Sequence, residues 1–273
     1  MSIFHPDKFL LIAGPCAIET EAVCEQVASV LATLQQQYAS KLDVVFKASF
    51  DKANRTQVTS ARGVGMERGL AILADIHTRY ALPVTTDVHE SHQAATVAKV
   101  CAMLQIPAFL CRQTDLLRAA AETGRCVSVK KGQFLSPFDM RYVAEKLQHF
   151  HAKETILMER GTTFGYGNLV VDMRAFDILK QTHCPVVFDA THSLQLPGCG
   201  TQTTGGDRGY LPSLSKAALA ADADGLFVEV HPDPASAWSD SATQLPLNQL
   251  PALMEQWLAL WELNRTLPKI NLA

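Results

Sequence analysis

Residues 185–192 read PVVFDATH. Val186, Val187 and Phe188 are apolar in unbroken succession, not at alternate positions. That is the signature of a strand covered on both faces, as in a parallel sheet. Just beyond the run stands His192, a residue able to bind a metal or move a proton. The same pattern recurs in both directions. Upstream, LLIAGPC (10–16) ends at Cys16, DVVFKAS (43–49) carries Lys47, and PVTTDVH (83–89) carries Asp87 and His89. CVSVKK (126–131) carries Lys130 and TILMER (155–160) ends at Arg160; downstream, GLFVEVH (225–231) carries Glu229 and His231. Including an apolar run at 103–106, strand signals fall near 9–13, 43–49, 83–88, 103–106, 126–130, 155–159, 185–189 and 225–230.

Between the runs lie helical patterns. Val23, Val27, Val30 and Leu34 have helical spacing within 20–37, and Leu70, Leu73 and Ile76 within 65–80. Further helices are expected at 91–100, 114–123, 137–150, 172–181, 213–223 and 250–264, the last with Leu253, Trp257, Leu258 and Trp261 on a core face. Eight strand-then-helix units predict a single α/β domain over residues 1–273, a (β/α)8 TIM barrel. A doubly wound open sheet is the competing architecture. In a closed barrel the carboxyl ends of all eight strands meet at one rim, so reactive residues far apart in sequence would face one another.

Composition agrees with this class. Of 273 residues 48% are apolar and 19% charged, enough to build a large core. A net charge of -3 gives no basis for nucleic-acid or anionic-membrane binding. No apolar run reaches the length of a membrane span, and MSIFHPDKFLLIAGPCAIE lacks the basic start and long apolar core of a secretory signal. The 7 cysteines are odd in number and without paired spacing, which suits reduced thiols and a cytoplasmic protein. Two polar segments, 197–210 and 232–246, follow the seventh and eighth strands and would hang over the rim.

Two constellations carry chemistry. Cys16, His192, Glu229 and Asp240 offer a thiolate, an imidazole and two carboxylates, ligand types accepted by zinc and neighbouring divalent ions. They come from the first, seventh and eighth strand ends, which become neighbours when a barrel closes. Residue types alone allow equally a buried thiol, a hydrogen-bonded histidine and solvated acids. The second constellation is cationic. KASFDKANRT (47–56) holds Lys47, Lys52 and Arg55, with Asn54 and Thr56 as neutral donors. Lys130, Lys131, Arg160 and Arg112 add charge from later strand ends. A mildly acidic chain that gathers cations there is expected to bind a small polyanion. Asp87, Gln105 and Gln133 are further polar candidates at the rim. The glycines of FGYGNLVVD (164–172) match neither a dinucleotide fingerprint nor a P-loop, and there is no G-x-S-x-G or H-E-x-x-H motif.

IAGPCAIE, FKASFDKANRT, TTDVHE, VKKGQF, ERGTTFGYGNLVVDMR, FDATHSLQLPG and EVHPDPASAWSDSATQLPL together resemble the 3-deoxy-D-manno-octulosonate 8-phosphate synthase family, over nearly the whole chain. The resemblance implies a homotetrameric barrel enzyme, a transferase of lipopolysaccharide biosynthesis that condenses phosphoenolpyruvate with D-arabinose 5-phosphate. GPCAIE and SDSATQLP resemble the metal-dependent branch. That implies one divalent ion per subunit (Zn2+, Fe2+ or Mn2+) held by Cys16, His192, Glu229 and Asp240. The same matching assigns Lys47, Ser49, Lys52, Gln105, Lys130 and Arg160 to phosphoenolpyruvate. It assigns Asn54, Arg55 and Thr56 to the sugar phosphate, and lets Arg112 reach a neighbouring subunit's sugar. Gly132 departs from the proline found in some members. The sister reaction with erythrose 4-phosphate, run by 3-deoxy-heptulosonate 7-phosphate synthases, is the alternative; those enzymes usually carry a K-P-R-T-type segment where this chain has KANRT. A catalytically silent binding barrel is a third reading.

Overall fold

The computed structural model describes residues 2–55, 57–164, 166–197, 205–268 and 270. Its strands are β1 (Phe9–Gly14), β2 (Leu42–Lys47), β3 (Val84–Asp87), β4 (Met103–Ile106), β5 (Cys126–Lys130), β6 (Glu154–Glu159), β7 (Val186–Asp189) and β8 (Gly225–His231). All eight pair in parallel in sequence order, and β8 returns to pair with β1 through Leu10↔Gly225 to Gly14↔Glu229. The sheet is therefore closed, and the open-sheet alternative is excluded. No helix among the described residues is long and apolar enough to cross a membrane.

The alternation along each strand separates two cores. Leu10, Ile12, Val45, Met103, Cys126, Ile156, Met158, Val187 and Phe227 fill the barrel interior. Their outward neighbours, such as Leu11, Val44, Phe46, Leu104, Val127, Leu157 and Phe188, pack beneath the helices. Because side chains alternate, the next inward position at each carboxyl end is fixed. It is Lys47 on β2, Asp87 on β3, Gln105 on β4, Lys130 on β5, Asp189 on β7 and Glu229 on β8. The opposite mouth is closed by the chain's start. The Glu154 carboxylate accepts hydrogen bonds from Ser2 Oγ and from the Ile3 and Phe4 amides, which seats Ile3 under the interior core.

The helices are α1 (Glu21–Gln37), α2 (Met66–Tyr80), α3 (Ala94–Val97), α4 (Thr114–Ala121), α5 (Met140–His149), α6 (Ala175–Lys180), α7 (Leu211–Ala220) and α8 (Leu250–Thr266). Thr20 starts α1 by accepting a hydrogen bond from the Val23 amide. On α8, Leu253, Trp257, Leu258 and Trp261 are buried as their spacing predicts, and Trp257 Nε1 donates to Ser215 Oγ of α7 at 2.9 Å. The third helix departs from expectation: only Ala94–Val97 is α-helical, after a 3-10 turn at Ser91–Gln93. The Glu90 and Gln93 side chains cap that turn reciprocally, and the residues after it offer a short apolar face.

Gly14 shows why strand ends can meet so closely. A Cβ there would lie 1.8 Å from the Lys47 carbonyl oxygen, so only glycine lets β1 end beside β2 at the point where Cys16 and Lys47 converge.

Candidate active site

At the carboxyl rim lies a cavity of about 570 Å³. Its lining includes Lys47, Lys52, Asn54, Arg55, Asp87, Gln105, Lys130, Gln133, Arg160, His192, Glu229 and Asp240. Topology thus gathers residues from the carboxyl ends and following loops of β2 to β8 into one space. A more open hollow of about 980 Å³ between α5 and α6 contains none of the expected site residues.

The cavity has two halves. On one side, ligand atoms of Glu229 and Asp240, which line it, and of Cys16, buried behind them, all lie within 4.8 Å of one another. The Cys16 thiol donates to Asp240 Oδ2 at 3.1 Å. Glu229 Oε1 accepts from Lys47 Nζ at 2.8 Å, while Glu229 Oε2 is buried with no hydrogen-bond partner among the described residues. His192 lies just outside this trio, its Nε2 3.6 Å from Glu229 Oε1. Its Nδ1 is 2.8 Å from Asp189 Oδ2. Asp189 remains a carboxylate: burial opposes its charge, but His192 and Lys130 outweigh burial and hold it well below the usual range. Asp189 thus favours a proton on Nδ1, against the Lys130 ammonium 3.2 Å from the same nitrogen, and that tautomer leaves the Nε2 lone pair on the Glu229 side. A carboxylate that fixes the far nitrogen of an imidazole is the usual support of a metal-binding histidine.

The residues fit a divalent ion. The clustered donors are one sulfur and two carboxylates, with the His192 imidazole beside Glu229, and one buried Glu229 oxygen lacks a partner among the described residues. Burial, followed by Glu229, pushes the Cys16 thiol well up, although Lys52 and Lys47 act against this. A divalent cation beside the sulfur would reverse that preference. Burial also opposes charge on Glu229 and Asp240, yet nearby cations hold both low, so two carboxylates stand ready as ligands. Asp240 is presented at φ 50°, a left-handed conformation that Asp tolerates better than most residues. The Thr243 and Gln244 amides bond its carbonyl at 2.9 and 3.0 Å and hold that turn.

The other half is cationic. Arg160 is 4% exposed. Its Nη2 donates to Gln195 Oε1 at 2.7 Å, but its Nε and Nη1 have no partner among the described residues. Burial pushes its proton affinity down despite Asp189 and Asp240. Arg160 lines the cavity, and a buried guanidinium with unpaired donors is the group expected to take an anion. Lys130 Nζ lies 2.7 Å from Asp189 Oδ2 and 3.6 Å from the centre of the Phe227 ring. Burial lowers its pKa too, more than Asp189 and Glu229 restore it. Lys52 Nζ stands 4.0 Å from Asp87 Oδ2 and 3.9 Å from Glu229 Oε1.

Some expected residues sit differently. Ser49 lies behind the cavity and donates to Asp87 Oδ2 at 2.7 Å; Gln105 donates to the other Asp87 oxygen. Arg55 joins two loops, giving Nε to the Ala61 carbonyl and Nη1 to Ser239 Oγ, each at 2.8 Å, and Nη2 to the Trp238 carbonyl. Arg112 is exposed and does not line the cavity. Thr56 lies outside the described residues. The 197–210 segment is described only at its ends, where Arg208 donates to the Ser241 carbonyl beside Asp240. Gly132 lies beneath Phe134: a Cβ there would meet that ring at 2.7 Å and the Ala108 carbonyl oxygen at 3.1 Å.

Three residues of the site went unassigned in the sequence. Asp189 could have been found, since it shares the inward parity of Val187 and precedes His192 by one turn. Gln195 carried no signal, yet it accepts from Arg160 and donates to Asp240 Oδ1 at 2.7 Å, joining the two halves. Gln244 likewise accepts from the Cys16 amide at 3.3 Å and donates to the Ser239 carbonyl at 2.8 Å.

Residues 3–267 match the DAHP synthetase I family. A 2-dehydro-3-deoxyphosphooctonate aldolase of Granulibacter bethesdensis is 54% identical over 89% of this chain and 85% of its own length. The protein of that name from Nitratidesulfovibrio vulgaris (strain DP4) is 52% identical over 93% of this chain and 92% of its own. A third, from a Cyanothece species, is 48% identical over 95% and 94%.

Proposed function

The chain belongs to the DAHP synthetase I family, and from that premise we propose that it condenses phosphoenolpyruvate with D-arabinose 5-phosphate and water. The products are 3-deoxy-D-manno-octulosonate 8-phosphate and inorganic phosphate. The family as a whole does not separate this reaction from its sister with erythrose 4-phosphate. The relatives' names favour the octulosonate product, and KANRT at 52–56 favours it again. The observation that carries the reading is the shared cavity, lined by Arg160, Lys130 and Lys52 together with His192, Glu229 and Asp240, with the Cys16 thiol buried against Asp240.

Two anionic substrates repel each other in water, and the rim cancels that repulsion by position. Arg160, Lys130 and Lys52 hold the phosphate and carboxylate of phosphoenolpyruvate over Phe227. Asn54 and Arg55, on the loop after β2, take the far phosphate of the pentose, so its aldehyde points inward. C3 of phosphoenolpyruvate bonds to the aldehyde carbon, and the aldehyde oxygen gains a proton. Water adds its oxygen to C2 and loses a proton. The bond from C2 to the phosphate oxygen then breaks, phosphate leaves with the electron pair, and the C2 hydroxyl gives up its proton to become the keto group. Lys130 Nζ, whose hold on its proton burial weakens, is placed to lend one to the departing phosphate. Cys16, His192, Glu229 and Asp240 would hold one divalent ion, Zn2+, Fe2+ or Mn2+, which when bound supplies a polarising and orienting charge for an oxygen ligand.

Phosphate release should be measured with each aldose side by side. Rapid release with arabinose 5-phosphate and little with erythrose 4-phosphate is expected; the reverse preference would assign the sister reaction, and no release with either would leave a binding barrel. We propose assembly as a homotetramer as well, a reading supported by Phe109, Phe134, Phe138 and Phe164, all large apolar side chains left exposed. Light scattering that returned a monomer mass would exclude it.

A further inference from the structure

Directly behind the cationic half lies a buried charge that the reaction does not use. Lys131 is 0% exposed and follows Lys130 at the end of β5. Its Nζ lies 3.0 Å from Thr162 Oγ1, 3.2 Å from the Leu135 and Gly161 carbonyl oxygens, and 3.4 Å from that of Gly132. Glu159 Oε1 stands 3.6 Å away and also accepts from the Gly161 amide at 2.6 Å. Burying an ammonium is costly, and an apolar side chain would serve packing as well. The cage therefore calls for a second reason.

The reason lies in which backbone it pins. The cage joins the turn after β5, which carries Gln133, to the turn after β6, which begins at Gly161. Lys130 pairs with Met158 across the ladder, and the Lys131 amide donates to the Met158 carbonyl at 2.8 Å. Lys131 and Glu159 thus face outward where their chain neighbours, Lys130 and Arg160, face the cavity. The Lys131–Glu159 pair stands behind the pair that lines the cavity. Any change in the gap between these two strand ends moves Lys130 and Arg160 relative to each other.

We infer that Lys131, with Glu159 and Thr162, is a positioning group that sets the spacing of the Lys130 and Arg160 cations, and with it the affinity for phosphoenolpyruvate. The inference rests on the proposed function in assigning that substrate to that pair. It also predicts selectivity. Asn54 and Arg55 hang from β2, across the barrel from β5 and β6, so the pentose phosphate should be indifferent to the cage.

The test uses the full-length protein. Phosphoenolpyruvate binding is first measured by calorimetry on the unaltered chain; absence of binding there would refute the substrate assignment and the inference with it. Given binding, Lys131→Met should weaken phosphoenolpyruvate by roughly tenfold or more, since small misplacements of binding groups cost up to about a hundredfold. KM for the pentose phosphate should change less than about twofold, again because the effect is positional. Equal loss for both substrates, or no loss for phosphoenolpyruvate, would overturn the inference. Should Lys131→Met fail to fold, Thr162→Val and Thr162→Ser decide instead. The valine removes one oxygen of the cage and keeps the charge; the serine restores the oxygen. The inference requires valine to raise KM for phosphoenolpyruvate selectively and serine to leave it near the original, and identical behaviour of the two would refute it.

Discussion

Asp189 shows how much a single unassigned residue decides. It takes the proton-bearing side of His192 with one carboxylate and anchors Lys130 with the same group. The imidazole nitrogen left for an ion and the ammonium left for an anion are thus set by one side chain. Asp189→Asn keeps its shape but loses the charge that fixes the tautomer. Metal affinity should fall by about 10–100-fold, the usual cost of losing such a support. Titration of the loaded protein with a competing chelator measures this, and unchanged affinity would remove Asp189 from the account. Gln195 illustrates the reverse lesson. Its amide has a defined sense because Arg160 can only donate and the Asp240 carboxylate can only accept. Nothing in the sequence around 192–198 announces that link, because it depends on where the turn after β7 comes to rest.

At the scale of elements, the strands were readable and the turns were not. Nearly continuous apolar runs located all eight strands, since burial on both faces leaves few polar positions to blur the signal. In the folded barrel the period of two decides which terminal residues face inward, and Lys47, Asp87, Gln105, Lys130 and Glu229 all lie on that side. Helices with a full apolar stripe, such as α1, α2 and α8, were equally plain. The stretch 91–100 was read too long because its apolar positions fit a helix while its hydrogen bonds change to a 3-10 turn at Ser91–Gln93. The loops account for the remaining surprises. Ser49 turns away to hold Asp87, and Arg55 reaches 183 and 184 residues along the chain to bind the loop after β8. Such contacts form only after closure of the barrel and leave no local pattern to read.

For the whole molecule, closure of the sheet turns a linear series of strand ends into one reaction chamber, and the same closure buries thiols deeply. Burial pushes Cys101 up to about 12, slightly offset by Arg125. Burial, with Glu19 and other acids adding, takes Cys24 to about 12 as well. Both folded-state values are raised, so the contribution to stability is complete below pH 9 and is lost as pH climbs toward 12. Each thiol should remove about 1.4 kcal/mol of stability per pH unit over that interval. Urea unfolding between pH 8 and 11 would show the decline, and the double variant Cys24→Ala, Cys101→Ala should show a shallower one. A slope unchanged by the double substitution would assign alkaline sensitivity to other groups.

One ion shared by Cys16, His192, Glu229 and Asp240 is the centre of the proposed site. X-ray absorption at the zinc edge of the zinc-loaded protein addresses it directly. One sulfur at about 2.3 Å is expected, together with nitrogen and oxygen ligands at about 2.0–2.2 Å. The sulfur should vanish from the shell in Cys16→Ser. A first shell with no sulfur in the unaltered protein, or failure to retain zinc at one ion per chain, would contradict it.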